Sequence, residues 1–356
     1  MSVAIAPAAE TISITPTLLR LADREALSRE EAAELLDRVM LGAVSPVQAA
    51  SAFTALRVRG ETVEEITGFA RTMRRHALRV DLPPGSPVVD TCGTGGDGAG
   101  SFNVSTTAAF VAAGAGVRVA KHGNRSMSSR CGSADVLEGL GAQILLSPEQ
   151  VARCVEAAGF GFMFAQAYHP AMRHVAPVRR ELGIRTVFNL LGPLTNPAGA
   201  TRQVIGVSDR TAARTMAEVL ANLECERVLI VTSADGLDEL TLAGPNAVVE
   251  FDCRSGDVRE WALDPADYGL SPATADALTG GDVAENVAIS RAVLAGEDGP
   301  RRDTVVLNAA AALLIADVVP DIHEGIERAR RAIDDGSAER SLDQFVLTSQ
   351  QHDAAS

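Results

Sequence analysis

The chain has 356 residues, enough for two domains or for one large α/β domain with an appendage. Its 32 basic against 46 acidic side chains leave a net charge of −14, a field that repels nucleic acid and membrane surfaces while still permitting a local basic pocket. Apolar residues make up 46%, ample for a core, and five cysteines (Cys92, Cys131, Cys154, Cys225 and Cys253) in odd number without a CxxC pair indicate neither a disulfide framework nor a thiolate zinc site.

Residues 1–12 read as a loose tail. They have no basic stretch and only a brief apolar run before Pro7, so the chain is expected to be soluble, cytoplasmic and unprocessed. From Thr15 to about Arg79 apolar residues recur at helical spacing: Leu18, Leu19 and Leu21, then Leu35, Leu36, Val39 and Met40, then Phe53, Leu56, Ile66 and Phe69. Ser28 followed by Glu31 predicts a capping box, and Gly42 and Gly60 predict helix stops. The run from Asp81 through Pro83, Pro84 and Gly85 ends this region, because two prolines and a glycine cannot continue a helix. A helical domain over 1–84 and an α/β domain over 85–356 are therefore expected.

Beyond the boundary, short β-rich runs alternate with helices. Strands are predicted at 88–89, 117–120, 143–146, 160–164, 203–207 and 227–232, with helices at 108–113, 134–140, after Ser147 (a second capping box, with Gln150) and near 211–222. That alternation predicts a mainly parallel central sheet flanked by helices. Residues 282–349 return to helix, and the apolar run 305–319, interrupted by Asn308 and Asp317, suits a buried core helix better than a membrane span.

Four segments carry chemistry. In residues 90–107 (DTCGTGGDGAGSFNVSTT) a glycine loop lies between a strand and a helix. It lets several N–H groups face one oxyanion, with Asn103, Ser105 and Thr106 at the helix start. Diphosphate fits it, and so would a simple tight turn. Residues 121–141 (KHGNRSMSSRCGSADVLEGLG) follow a strand and offer a second anion-binding wall, or alternatively a polar loop with Ser133 as helix cap. Residues 235–240 (DGLDEL) place Asp238 and Glu239 past a strand, as hard ligands for Mg²⁺ or as a solvated turn. Residues 177–197 (PVRRELGIRTVFNLLGPLTNP), with Tyr168 and His169 just before them, provide Arg179 as a fork for a carboxylate; Tyr168, His169 and Pro193 could line an aromatic pocket.

Together and in this order the four segments resemble the anthranilate phosphoribosyltransferase family, over a stretch from about Thr15 to Val346. The resemblance implies a nucleoside phosphorylase/phosphoribosyltransferase-like fold whose small helical domain is completed by helices around 166–182. It implies a Mg²⁺-dependent transfer from phosphoribosyl pyrophosphate (PRPP) to anthranilate in tryptophan biosynthesis, by a homodimer formed through the helical domains. PRPP is then expected on Gly93, Gly95, Gly96 and Asp97, on Ser101, Asn103, Val104, Ser105 and Thr106, and within Lys121, Gly123, Asn124, Arg125, Ser126, Ser128, Ser129 and Ser133. Ser105 and Glu239 would share one Mg²⁺, and Asp238 with Glu239 would hold a second. Anthranilate would enter between the domains and contact Gly93, Asn124 and Arg179, near His122, His169, Tyr168 and Pro193. Lys121, His122 and Arg179 form the expected catalytic set, His122 being the nearest candidate proton acceptor. A pyrimidine-nucleoside phosphorylase of related fold would want a Lys-His-Ser-like loop and a Gly-Asp-Lys sequence, and neither stands here.

Overall fold

Short-range capping starts the first helices where the sequence places them. In the computed structural model, which describes residues 12–85, 87–95, 100–126 and 130–351, the chain opens with α1 (Thr15–Ala22), α2 (Arg29–Met40), α3 (Pro46–Arg59) and α4 (Val63–His76). The amide of Glu31 donates to Ser28 Oγ at 3.2 Å and the Ser28 amide donates back to Glu31 Oε2 at 2.8 Å, so the predicted box closes at the start of α2. Gly60 ends α3 with φ of +91°, a backbone that a side chain would strain.

The trace continues through β1 (Val88–Gly93), α5 (Val104–Gly114), β2 (Arg118–Gly123), α6 (Ser133–Gly139), α7 (Pro148–Ala158), β3 (Phe160–Phe164) and α8 (Ala165–Tyr168). A 3-10 turn (Pro170–His174), α9 (Ala176–Leu182) and α10 (Phe188–Leu191) precede β4 (Arg202–Gly206), α11 (Arg210–Asn222) and β5 (Arg227–Thr232). A hairpin follows, β6 (Asn246–Asp252) and β7 (Asp257–Leu263), and then α12 (Val283–Leu294), α13 (Pro300–Ile315), α14 (Ile322–Asp334) and α15 (Ser337–Ser349).

The chain divides into two compact units. The first comprises Met1–Ala77 with His169–Leu191, the second Leu78–Tyr168 with Gly192–Ser356. In the first unit Phe53 of α3 meets Phe188 of α10 edge to face at 4.9 Å. Buried Glu65 is satisfied there by the amides of Leu27 (2.8 Å) and Thr62 (2.9 Å) and by an ion pair with Arg59. Gly68 lets α4 lie against α2, since a Cβ there would stand 2.3 Å from Arg29 O.

In the second unit a seven-stranded sheet runs β3-β2-β1-β4-β5-β6-β7. The first five strands are parallel and the last two antiparallel, so the sheet is mixed but mostly parallel. The apolar run in α13 is buried from Thr304 through Ile315, as a core helix should be. No helix among the described residues is long and apolar enough to cross a membrane.

Two expectations about strands need correction. Residues 143–146 are not a strand, although Ile144 and Leu146 are buried and Leu145 exposed in strand-like alternation. Their backbone groups go to side chains instead: the Gln143 amide donates to Ser349 Oγ (3.0 Å) and Tyr168 Oη donates to Leu146 O (3.0 Å). The segment at 117–120 extends to Gly123, so Lys121 and His122 are strand residues and not part of the loop.

Candidate active site

The parallel strands of the second unit deliver their C-terminal ends to one place. Gly93 at the end of β1 pairs in register with Gly206 at the end of β4. The loop after β5 closes over both: a Cβ on Gly206 would stand 1.6 Å from Asp238 O, and one on Gly93 2.2 Å from Asp238 Oδ2. Only glycine permits that approach. The Gly95 amide donates to Asp238 Oδ2 at 2.6 Å, fixing the first limb of the glycine loop on this carboxylate. The second limb is strapped elsewhere, the Phe102 amide donating to Leu278 O and the Gly280 amide to Gly100 O, each at 2.9 Å. Gly96 and Asp97, expected to carry the diphosphate between these limbs, lie outside the described residues, as do Ser128 and Ser129.

The loop leads into α5, whose first-turn amides lack helical partners. One of them, on Ser105, donates to Glu239 Oε1 at 3.1 Å, so this carboxylate lies at a helix N-terminus. Lys121 reaches the same spot from β2: its Nζ donates to Ser105 Oγ at 3.2 Å and to Thr91 O. Burial pushes the Glu239 carboxyl up to about 8, and the neighbouring Asp238 charge adds to the rise, while Lys121 and the Ser105 hydrogen bonds oppose it. Asp90, fully buried on β1, is likewise raised by burial against the pull of Lys121 and Asn196. Two adjacent carboxylates, one ammonium and one helix N-terminus thus converge where a cation and a polyanion would complete the charge balance.

The loop after β2 folds onto α6. Gly132, not Ser133, is the helix cap, its amide donating to Asp135 Oδ2 at 2.9 Å, while Ser133 Oγ donates to Asn124 O at 3.2 Å. Gly123 leaves room for that hydroxyl, since a Cβ there would stand 2.3 Å from it. Ser126 also donates its amide to Asp135, at 3.2 Å. Arg125 is not an uncommitted cation: its guanidinium pairs with Asp135 (2.7 Å) and Glu138 (2.5 Å). His122 is buried with Nδ1 3.2 Å from Gly192 O, and buried Pro193 accepts from Gln203 Nε2 at 2.8 Å. In the first unit Arg179 on α9 lies with its guanidinium carbon 5.3 Å from the centre of the Phe188 ring. Burial lowers its pKa, and no carboxylate pairs with it among the described residues. His169 is buried in that unit too.

Two family models match the chain, "Glycosyl transferase family, helical bundle domain" over residues 15–77 and "Glycosyl transferase family, a/b domain" over residues 85–339. The anthranilate phosphoribosyltransferase of Rubrobacter xylanophilus is 56% identical over 333 residues, 93% of this chain and 96% of its own length. That of Chloroflexus aggregans is 54% identical across 95% of this chain and 99% of its own. The chain belongs to the anthranilate phosphoribosyltransferase family. The crystal structure of the Thermus thermophilus member superimposes with a TM-score of 0.87 at 47% identity, covering 94% of this chain and 99% of that one. A Saccharomyces cerevisiae member in complex with PRPP and Mg superimposes with a TM-score of 0.85 at 30% identity, covering 94% and 98%. Family members transfer the phosphoribosyl group of PRPP to anthranilate, a step of tryptophan biosynthesis.

Within the phosphoribosyltransferase fold, six of the expected diphosphate and metal residues are linked in the second unit: Gly93, Gly95, Ser105, Lys121, Asp238 and Glu239 surround one spot. Thr106 and Val104 are buried in the first turn of α5, and Asn103 Nδ2 donates to Cys131 O at 3.3 Å. Ser101 forms an isolated bridge with Thr279. Tyr168 does not join them. It is a core residue with its hydroxyl held by Leu146 O, and burial raises its pKa. Asn308, which none of the four segments contains, clamps Leu240 from both sides: its Oδ1 accepts from the Leu240 amide (3.1 Å) and its Nδ2 donates to Leu240 O (2.8 Å). Its signal was a lone amide inside an apolar helix.

Proposed function

We propose that the diphosphate of PRPP is bound at the C-terminal ends of β1, β4 and β5 and that the phosphoribosyl group is transferred there to the anthranilate amine, with pyrophosphate leaving. The observation that carries this is the convergence of Asp238, Glu239, Lys121 and the first turn of α5 on one spot. Ser105, Asp238 and Glu239 would hold Mg²⁺, and two ions per subunit suit the paired carboxylates. The residues fit a hard divalent ion: they present oxygen donors on adjacent carboxylates, and burial first, then the Asp238 charge, raises the Glu239 carboxyl, a penalty that such an ion relieves. Bound there, Mg²⁺ supplies positive charge for the departing pyrophosphate.

The remaining work falls to the chain. Lys121 and the loop amides stabilise charge that develops on the leaving diphosphate as the bond to ribose C1 lengthens. The aryl amine of anthranilate is neutral at pH 7 and already nucleophilic, so positioning matters more than proton abstraction. Arg179, desolvated, lying over Phe188 and without a carboxylate partner among the described residues, would take the anthranilate carboxylate. In the second unit Gly93, Asn124, His122 and Pro193, and in the first His169, are the further residues proposed to contact anthranilate, with no group required as a base.

Homodimerisation is proposed through the helical unit. Its groove of about 760 Å³ is lined by Leu21, Val47, Val58, Val178 and Leu182, and both Val47 and Val58 are more than two-thirds exposed in the single chain. A reducing cytoplasm is the proposed setting, in keeping with five cysteines that form no disulfide. Anthranilate fluorescence followed with purified protein tests the reaction. Consumption requiring both PRPP and Mg²⁺ is expected, and consumption without PRPP or none at all would reject the reading.

A further inference from the structure

The sheet parts at one point beside the site. β1 and β2 are laddered at Val88 with Arg118 and at Val89 with Val119, and no farther. Beyond that, β1 stays with β4 as far as Gly93 with Gly206, and β2 stays with β3 as far as Gly123 with Phe164. Two strands that both lead into the site therefore give up their mutual backbone bonds just before reaching it. Backbone groups left buried must be satisfied some other way.

Side chains fill the parting. Asp90 Oδ1 accepts from the His122 amide at 3.3 Å, and Asp90 Oδ2 accepts from Asn196 Nδ2 at 2.7 Å. The same Asn196 amide group donates to Ala120 O at 2.8 Å, so it spans from the β1 side chain to the β2 backbone. Lys121 crosses the parting in the other direction, donating to Thr91 O and continuing to Ser105 Oγ at 3.2 Å. Asp90, Asn196 and Lys121 are all at least 98% buried. A continued β-ladder would satisfy the same backbone without placing a carboxylate, an amide and an ammonium in the interior, where each must be compensated. The arrangement keeps two strand ends apart and holds the Asp90 carboxyl within electrostatic reach of the Lys121 ammonium.

We infer that Asp90 and Asn196 are positioning residues, a polar wedge between β1 and β2 that sets Lys121 for the diphosphate of PRPP. Neither touches the reacting atoms; they act through Lys121 and the backbone of His122. The inference rests on Lys121 being a diphosphate-binding cation. It predicts that losing the wedge weakens PRPP binding by about 10- to 100-fold, the range found when a supporting partner behind a ligand-binding group is removed. The KM for anthranilate stays within about twofold.

The test is calorimetric titration of PRPP with Mg²⁺ into the full chain and into D90N, N196S, K121M and D90N/K121M, each checked for folding by thermal melting. If Asp90 works through Lys121, D90N weakens PRPP binding strongly in the parent and by less than about twofold in the K121M background, because residues sharing one role are not additive. Additive losses would make Asp90 a general structural residue and overturn the inference. So would D90N and N196S that both bind PRPP like the parent. Should D90N not fold, N196S with and without K121M carries the same comparison, since it keeps the carboxylate and removes only the amide bridge. Unchanged PRPP binding by K121M itself would reject the diphosphate reading, and this inference with it; normal weakening by K121M beside silent wedge variants would reject the inference alone.

Discussion

The two ends of one sheet treat charge in opposite ways. At the N-terminal ends of β4 and β5, Arg202 pairs with Glu226 (2.9 Å) and Asp317 (2.7 Å), and Arg227 pairs with Glu250 (3.1 Å) and Asp317 (3.0 Å). The same arginines donate to Ile315 O and Leu314 O, closing the last turn of α13. Nearly every charge there has its complement. At the C-terminal ends, Asp238 and Glu239 stand side by side near Lys121, and burial, with the Asp238 charge adding to it, displaces the Glu239 carboxyl upward. The first end is arranged for the stability of the free chain. The second is arranged for what it binds, which is where locally unfavourable electrostatics belong in an otherwise consistent fold.

That contrast can be broken or sharpened by measurement. The largest effect is expected at the binding end. E239Q should lower Mg²⁺-dependent turnover by roughly 10²–10³-fold while leaving the melting temperature of the ligand-free protein unchanged or higher. A clear loss of stability would mean that the carboxylate is structural. At the other end, R227M removes the buried arginine on Glu250, leaving that carboxylate to Arg259 (2.9 Å) and Trp261 (3.1 Å), and should cost about 1.5–3 kcal/mol in urea unfolding, with kcat unaltered. A stable R227M would remove the distinction between the two ends. In the helical unit, R179A should raise the KM for anthranilate by roughly 10- to 100-fold, as expected for a lost charge-assisted hydrogen bond, with PRPP binding intact; an unchanged KM would reassign that arginine to packing.

The smallest effect concerns pH. Hydrogen bonding to Arg254, with Arg227 nearby, holds the Asp252 carboxyl down to about 2. A folded-state value below that of the unfolded chain stabilises the fold above the unfolded value and is lost as pH falls towards 2. D252N should therefore lower stability at neutral pH and flatten the profile between about pH 4 and pH 2, the two proteins converging as pH falls towards 2. Parallel profiles for D252N and the parent would show that the ion network at this end contributes nothing there.

Much of the molecule was legible beforehand, for identifiable reasons. The boxes at Ser28 and Ser147 close as read, the latter with the Gln150 amide donating to Ser147 Oγ at 3.3 Å, because capping spans only three residues. The strands at 160–164 and 227–232 appear as Phe160–Phe164 and Arg227–Thr232, being unbroken apolar runs bounded by turns. Residues 143–146 had the alternation of a strand but no neighbouring strand to pair with. The β6–β7 hairpin went unread, although Val248, Val249 and Phe251 lead into a turn ending at Gly256, whose φ is +72°. Tyr168 looked like a pocket residue because it adjoins His169 in the chain, yet the two belong to different units.

By itself the sequence determined the local matters: helix starts, glycine turns, the excess of acid and the four segments that share a chemistry. Those depend on neighbours a few residues apart, where chain connectivity sets geometry. Only the tertiary structure decided which groups meet. Ser105 and Glu239 are 134 residues apart, Gly95 and Asp238 143, and Asp90 and Asn196 106. Contacts at such separations exist only once the sheet has brought its strand ends together, because no local rule specifies the partner of a buried amide or carboxylate; burial requires only that there be one.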